Sequence, residues 1–155
     1  MATSRAGAAI DALLSITRAA PALADVAVVD GPPVTNVSNR RRLYVGWSPG
    51  ADQAVDIVQD FATAGARRRD EDFSIACYVE VRGGEKDMAL RRAEVFALLA
   101  AVEDVLRATD AAPEAPTLGG VVLWAHLTAG ALMQEQSSDG ALAGIPFTVS
   151  CRARL

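Results

Sequence analysis

The chain has few of the residues from which small active sites are usually assembled. It holds one histidine, His126, two cysteines, and one lysine, Lys86, among fifteen basic residues. A Ser/His/Asp or Cys/His pair would have to recruit His126. That residue lies in the apolar stretch Leu118 to Ala129, where a structural imidazole is the plainer reading. A zinc site needs about four ligands at short local spacings, and Cys77, His126 and Cys151 are scattered along the chain. No G-x-G-x-x-G and no Walker-type loop is present to cradle a phosphate. Aromatic residues make up 5% of the sequence, too few for a base-stacking platform. No apolar run reaches the roughly 18 residues of a membrane span, and the longest, near Val95 to Val102, meets Glu103 and Asp104 at once. The start, Met1-Ala2-Thr3-Ser4-Arg5, is followed by Asp11 within the first apolar stretch, a poor secretory signal. The expectation is a protein that stays in the cytoplasm of the cell making it. It is expected to be neither an enzyme nor a cofactor or metal carrier.

At 155 residues, with no internal repeat, the chain is expected to form a single domain, 1–155. Its clearest element is Asp72 to Arg82. Phe73, Ile75, Cys77, Val79 and Val81 alternate there with Ser74, Tyr78, Glu80 and Arg82, the period of a strand with one buried face. Gly83-Gly84 ends the strand. A long helix is expected from Glu85 to Ala108, about 36 Å at 1.5 Å per residue, with two carboxylates in its first turn. Its apolar stripe is Met88, Val95, Leu98, Leu99, Val102, Val105 and Leu106. A shorter helix is expected over Ala6 to Ala20, capped by Thr3 or Ser4.

Further strands are expected at Val26–Val29, Leu43–Trp47, Gln53–Phe61, Leu118–Ala129 and Phe147–Leu155. Gln53–Phe61 could be read as a helix face, but its β-branched residues favour a strand that forms a hairpin with the next one. Gln134 to Gly144, polar and glycine-bearing, is expected to be a mobile loop. The fold class is therefore α/β of the α+β kind: a mixed, mainly antiparallel sheet against one long helix and a short N-terminal helix. Cys77 and Cys151 fall at apolar-phase strand positions and are expected as free core thiols. A disulfide would require the two strands to be neighbours.

Net charge is −4, which argues against a dedicated nucleic-acid binder. Two arginine triplets stand out, Arg40-Arg41-Arg42 and Arg67-Arg68-Arg69. The second runs directly into Asp70-Glu71-Asp72, which cancels its field within a Debye length of about 8–10 Å. A mixed-sign block on a hairpin tip suits a contact between subunits, because complementary charges fix register; an ordinary solvated hairpin is the other reading. Asp52, Asp56 and Asp60, every fourth residue, are expected as solvated charge rather than a cation site. Asn36-Val37-Ser38 matches a glycosylation sequon, without meaning unless the chain is secreted.

The order of several short motifs carries a resemblance. They are Val29-Asp30-Gly31-Pro32-Pro33-Val34, Leu43-Tyr44-Val45-Gly46, Gln59-Asp60-Phe61, Gly65-Ala66-Arg67-Arg68-Arg69-Asp70-Glu71, and Gly83-Gly84 before a long helix. The series closes with Phe147-Thr148-Val149-Ser150-Cys151-Arg152-Ala153-Arg154-Leu155. In this the chain resembles the tail terminator, or tail-completion, proteins of long-tailed actinobacterial phages and related phage-derived particles. The resemblance implies a mixed-sheet structural virion protein with no active site. It implies a ring, usually a hexamer, at the head–tail junction, made in the host cytoplasm. Such a ring caps the head-proximal end of the tail tube and stops its growth. It also docks the head connector, or the sheath in a contractile system, and passes DNA only as cargo. The alternatives are another head–tail connector or adaptor, the cap of a contractile phage-like injection system, or an unrelated small binding domain. By position, Arg67, Arg68, Arg69, Asp70, Glu71 and Asp72 are the candidate subunit interface. Gln134, Glu135, Gln136, Ser137, Ser138 and Asp139 are the candidate docking loop.

Overall fold

The computed structural model describes residues 2–34, 37–65 and 67–155. Along the chain run α1 (Ala6–Ala19), β1 (Ala27–Asp30), β2 (Arg41–Val45), β3 (Val55–Phe61), β4 (Arg69–Arg82), α2 (Met88–Asp104), β5 (Trp124–Ala129), β6 (Met133–Ser137) and β7 (Gly140–Arg154). The fold is mixed α+β, with a mostly antiparallel sheet and two α-helices among the described residues. No helix among the described residues is long and apolar enough to cross a membrane.

The sheet is organised around two long strands. β4 and β7 pair antiparallel from Asp70↔Arg154 to Arg82↔Leu142. The other edge of β4 is shared: β3 takes residues 69–75 and β2 takes 77–81. The other edge of β7 is shared in the same way by β6 and β5. Among the described residues only β1 on β2 is parallel. One face of the β4–β7 pair carries Phe73, Ile75, Cys77, Val79 and Val81 opposite Cys151, Val149, Phe147, Ile145 and Ala143, all buried. Both helices pack on that face: α2 on β4 and β7, α1 on β1, β2 and β4. Burying side chains of this size contributes roughly 1.5–3 kcal/mol each. The opposite face is dressed differently at its two ends. Near β1 and β2 it carries a small cluster of Val29, Tyr44 and Tyr78. Near β3 and β5 it is polar and open.

The Asp72–Arg82 alternation appears as expected, and the strand expected at Gln53–Phe61 is present over Val55–Phe61. Cys77 and Cys151 are free and lie on adjacent strands. Cys77 faces Phe147, so the thiols stand four rungs apart, roughly 13 Å at 3.3 Å per residue, beyond disulfide reach. Burial pushes both thiols up to about 12.

Other boundaries differ, each for a local reason. α2 starts at Met88 and ends at Asp104, so its 17 residues span about 25 Å instead of 36. No carboxylate lies inside its first turn. Asp87 is the cap, its side chain accepting from the Leu90 N–H at 3.1 Å, and Glu85 stays in the preceding turn. At α1, Arg5 occupies the cap position, and Ser4 Oγ accepts from Ala6 N–H at 3.0 Å. The strand expected from Leu118 begins only at Trp124, because Leu118, Gly119 and Gly120 all have positive φ (51°, 71° and 88°), which no strand accommodates. Gln134–Gly144 is no loop but a hairpin: β6 pairs with the start of β7 around Ser138-Asp139. Gly140 permits that turn at φ 114°.

Candidate functional site

The charged run that sequence reading placed on a hairpin tip is mostly inside the sheet. Arg69 to Asp72 are the first residues of β4, paired on one side with β3 and, from Asp70 onward, with β7 on the other. Strand alternation then splits their roles. Glu71 points to the helix side and is fully buried. Its Oε1 accepts from the Arg5 N–H at 2.9 Å, and Oε2 accepts from the Gln59 side-chain amide. A carboxylate at the start of a helix is favourable there, so Glu71 fastens α1 to the sheet. The same Gln59 amide group donates to the Thr3 carbonyl at 2.7 Å and its oxygen accepts from Arg69 at 3.1 Å.

Asp70 and Asp72 point to the open face. Arg154 Nε donates to Asp70 Oδ1 at 2.7 Å and Nη2 to Oδ2 at 3.0 Å; Arg152 Nη2 adds a third bond at 3.1 Å. These bonds, Arg154's first, hold the Asp70 carboxyl down at about 2. Arg152 also reaches Asp72 at 3.2 Å. Four members of the expected interface, Arg69, Asp70, Glu71 and Asp72, are thus engaged within the chain. Arg67 and Arg68 are exposed, and no ion pair is formed by either among the described residues.

The expected docking loop, Gln134 to Asp139, is exposed as β6 and its turn, and it is tied down. Arg92 Nη1 donates to Gln134 Oε1 at 2.8 Å, and the Gln136 amide donates to the Lys86 carbonyl at 3.0 Å. Beside it is a cavity of about 350 Å³ lined in part by Arg40, Arg82, Glu85, Ser137 and Asp139. Three of its charged groups are already paired, and only the exposed Asp139 carboxylate forms no ion pair among the described residues. Arg82 pairs with the mostly buried Glu80, Arg40 lies 3.7 Å from Glu85, and Glu85 also accepts from Arg91. The Glu85 carboxyl is held low, first by its own backbone N–H and then by Arg91.

Arg91 was not anticipated. It is fully buried on α2, donating to the Ala141 carbonyl at 3.2 Å, to Glu94 at 2.7 Å and to Glu85. A Cβ at Gly83 would collide with its guanidinium, which is why that turn is glycine. The signal was available: 91 falls in step with 88, 95, 98 and 102 along the apolar stripe. A guanidinium at such a position must be bonded or be very costly.

His126 is exposed rather than set among aliphatics, and stacks on Trp124 at 5.1 Å between ring centres. The even positions of β5 face the open side, which the alternation showed but the surrounding apolar run obscured. Asp52, Asp56 and Asp60 are exposed, and no group of three or more His, Cys, Asp or Glu side chains that could hold a metal ion occurs among the described residues. Arg41 pairs with Asp25 at 2.7 Å, and Arg42 donates to the Asn39 and Val37 carbonyls. The first triplet therefore holds the connector into β2. The sequon residue Asn36 lies outside the described residues. Comparison with protein-family models and with curated proteins finds no match for this chain.

Proposed function

We propose that the protein is a structural virion component: a ring-forming tail terminator that caps the head-proximal end of a tail tube and offers the docking surface for the head connector. Its partners are then copies of itself, the tube protein, and the connector or a sheath protein, with DNA as cargo through the ring. On this reading residues 1–155 form one tail-terminator-like domain, with α2 as the long helix of the fold. The observation that supports it best is β3. This seven-residue edge strand leaves Ile57, Val58 and Phe61 43%, 56% and 71% exposed. Exposed apolar side chains on both faces of an open strand edge, Val58 on one and Ile57 and Phe61 on the other, mark an edge made to be covered. The buried and paired ionisable groups described above act as braces, which suits a part that works by shape. The motif order read from the sequence supports the same choice.

The test is microscopy of particles assembled without the protein. Tails of uncontrolled length that fail to join heads are expected; tails of normal length joined to heads would overturn the proposal.

A further inference from the structure

The open face of the sheet is banded by charge, and the band runs from one edge to the other. Reading straight across the paired strands, one row is Asp60, Asp70, Arg154; the next is Val58, Asp72, Arg152, Trp124; the third is Asp56, Ser74, Ser150, His126. Carboxylates therefore occupy β3 and β4, while guanidinium groups and the imidazole occupy β7 and β5. Both outer strands of this half of the sheet are edges, with no further strand beyond them among the described residues. Both also expose apolar side chains: Val58 and Phe61 on β3, Leu123 and Trp124 (50% and 40%) at β5.

From this we infer that the β3 edge of one copy receives the β5 edge of the next, head to tail, so that the sheet continues from copy to copy. The occupant of the β3 edge is a second copy of this chain. The inference deepens the ring reading and rests on it for closure. Three observations select this arrangement. The first is direction. β3 runs antiparallel to β4, β4 to β7, and β7 to β5, so β3 and β5 run in opposite senses. Two copies placed side by side in the same orientation bring them together as an antiparallel pair, whose backbone groups can form a ladder.

The second is charge. Continuing the rows sets His126 of one copy beside Asp56 of the next, and Trp124 beside Val58, while the Arg152 and Arg154 flank approaches the Asp60 side. An imidazole that can donate a hydrogen bond then meets a carboxylate at the seam, an apolar pair packs beside it, and no carboxylate faces another. The third bears on the symmetric alternative that keeps Val58 packed at the centre of the seam. A two-fold pairing of β3 with β3 about Val58 sets Asp56 directly against Asp60 twice, and like charges directly opposite destabilise a strand pair. A contact between two different patches repeats, and closes into a ring when its rotation divides a full turn.

The experiment uses two variants of the full chain. Asp56→Lys with Asp60→Lys reverses the charge of the β3 edge; Trp124→Glu with His126→Glu sets carboxylates on the β5 edge against those of β3. All four positions are exposed, so both variants should keep the wild-type circular dichroism spectrum. Masses are then measured by light scattering and sedimentation. The wild type is expected to be oligomeric at micromolar concentration. Each variant alone is expected to be monomeric, its association weakened by about tenfold or more. Their mixture is expected to associate again, because each still offers one native edge. Wild-type mass retained by either variant alone, a monomeric mixture, or a monomeric wild type would each overturn the inference. If either variant fails to fold, Phe61→Ser and Leu123→Ser replace the two, with the same readings. Tail length separates this outcome from the function. Overgrown tails without the protein, together with variants that keep their mass, would sink the edge contact and leave the cap. Head-to-tail association with normal tails would do the reverse.

Discussion

The Arg154 guanidinium grips the Asp70 carboxylate side-on, Nε on one oxygen at 2.7 Å and Nη2 on the other at 3.0 Å. The two residues face each other on the first rung of the β4–β7 pair. Such a bidentate fork fixes orientation as well as charge, and Arg152 shares the same carboxylate.

This pairing makes part of the stability acid-sensitive. The Asp70 carboxyl is depressed from 3.8 to about 2. A depressed acid favours the folded state fully above its unfolded value and loses that contribution as pH falls through the folded value. Melting temperatures of wild type and Asp70→Asn should therefore differ most at and above pH about 4 and converge towards about 2. An equal gap across that window would show that the carboxylate's charge is not what matters.

Arg91→Leu should destabilise the fold by about 1–3 kcal/mol, because it removes a fully buried donor group and leaves the Ala141 carbonyl only its 3.3 Å bond from the Gly83 N–H, while Glu85 and Glu94 can turn to water. Arg91→Lys should recover little, since one ammonium cannot serve three separated acceptors. Urea unfolding of the two variants checks this; full recovery by lysine would mean charge alone suffices there.

Val79 is fully buried between the sheet and the helices. An unpaired carboxylate there costs an amount comparable to the ~5–15 kcal/mol that keeps a domain folded. Val79→Asp should be insoluble on expression, and a soluble variant with a native spectrum would refute the inward orientation of β4.

Gly144 gives Tyr78 its space: a Cβ there would run into the ring and hydroxyl. Gly144→Ala should cost about 1–3 kcal/mol through overpacking. Adding Tyr78→Ala should make the two changes less than additive, which a double-mutant cycle by denaturant unfolding measures.

Arg67 and Arg68 are the exposed half of the charged run. If they belong to a seam between copies, association should weaken in about 1 M salt, where the Debye length is near 3 Å. It should also weaken in the Arg67→Ala/Arg68→Ala variant. An oligomer indifferent to both removes these arginines from the interface.

The strands that read most clearly were those with one wholly buried face. Phe73 to Val81 and Phe147 to Ala153 alternate because helices cover one side and not the other. β6 was hidden because all of Met133 to Ser137 is exposed; its strand character lies in backbone pairing with Gly140–Gly144, which leaves no hydropathy signature. Three successive positive φ angles at Leu118–Gly120 interrupt an apolar run that looks continuous in sequence. The engagement of Asp70 and Glu71 was out of reach for another reason. Their partners, Arg154, Gln59 and the Arg5 N–H, are brought together only by the topology, Arg154 from 84 residues away. A run that looks like a free charge cluster is thus mostly internal bracing, and only its two leading arginines stay unpaired among the described residues.

The place of β7 in synthesis order has its own cost. It leaves the ribosome after β4, β5 and β6, yet it is the strand that all three lean on. Until it emerges, β4 presents a long unsatisfied flank and the α2 stripe has only half its bed. Such late, distant closure makes for slow folding and a sticky nascent chain. Slowed translation before residue 140, or scarce chaperone, should reduce yield well before it alters the finished protein.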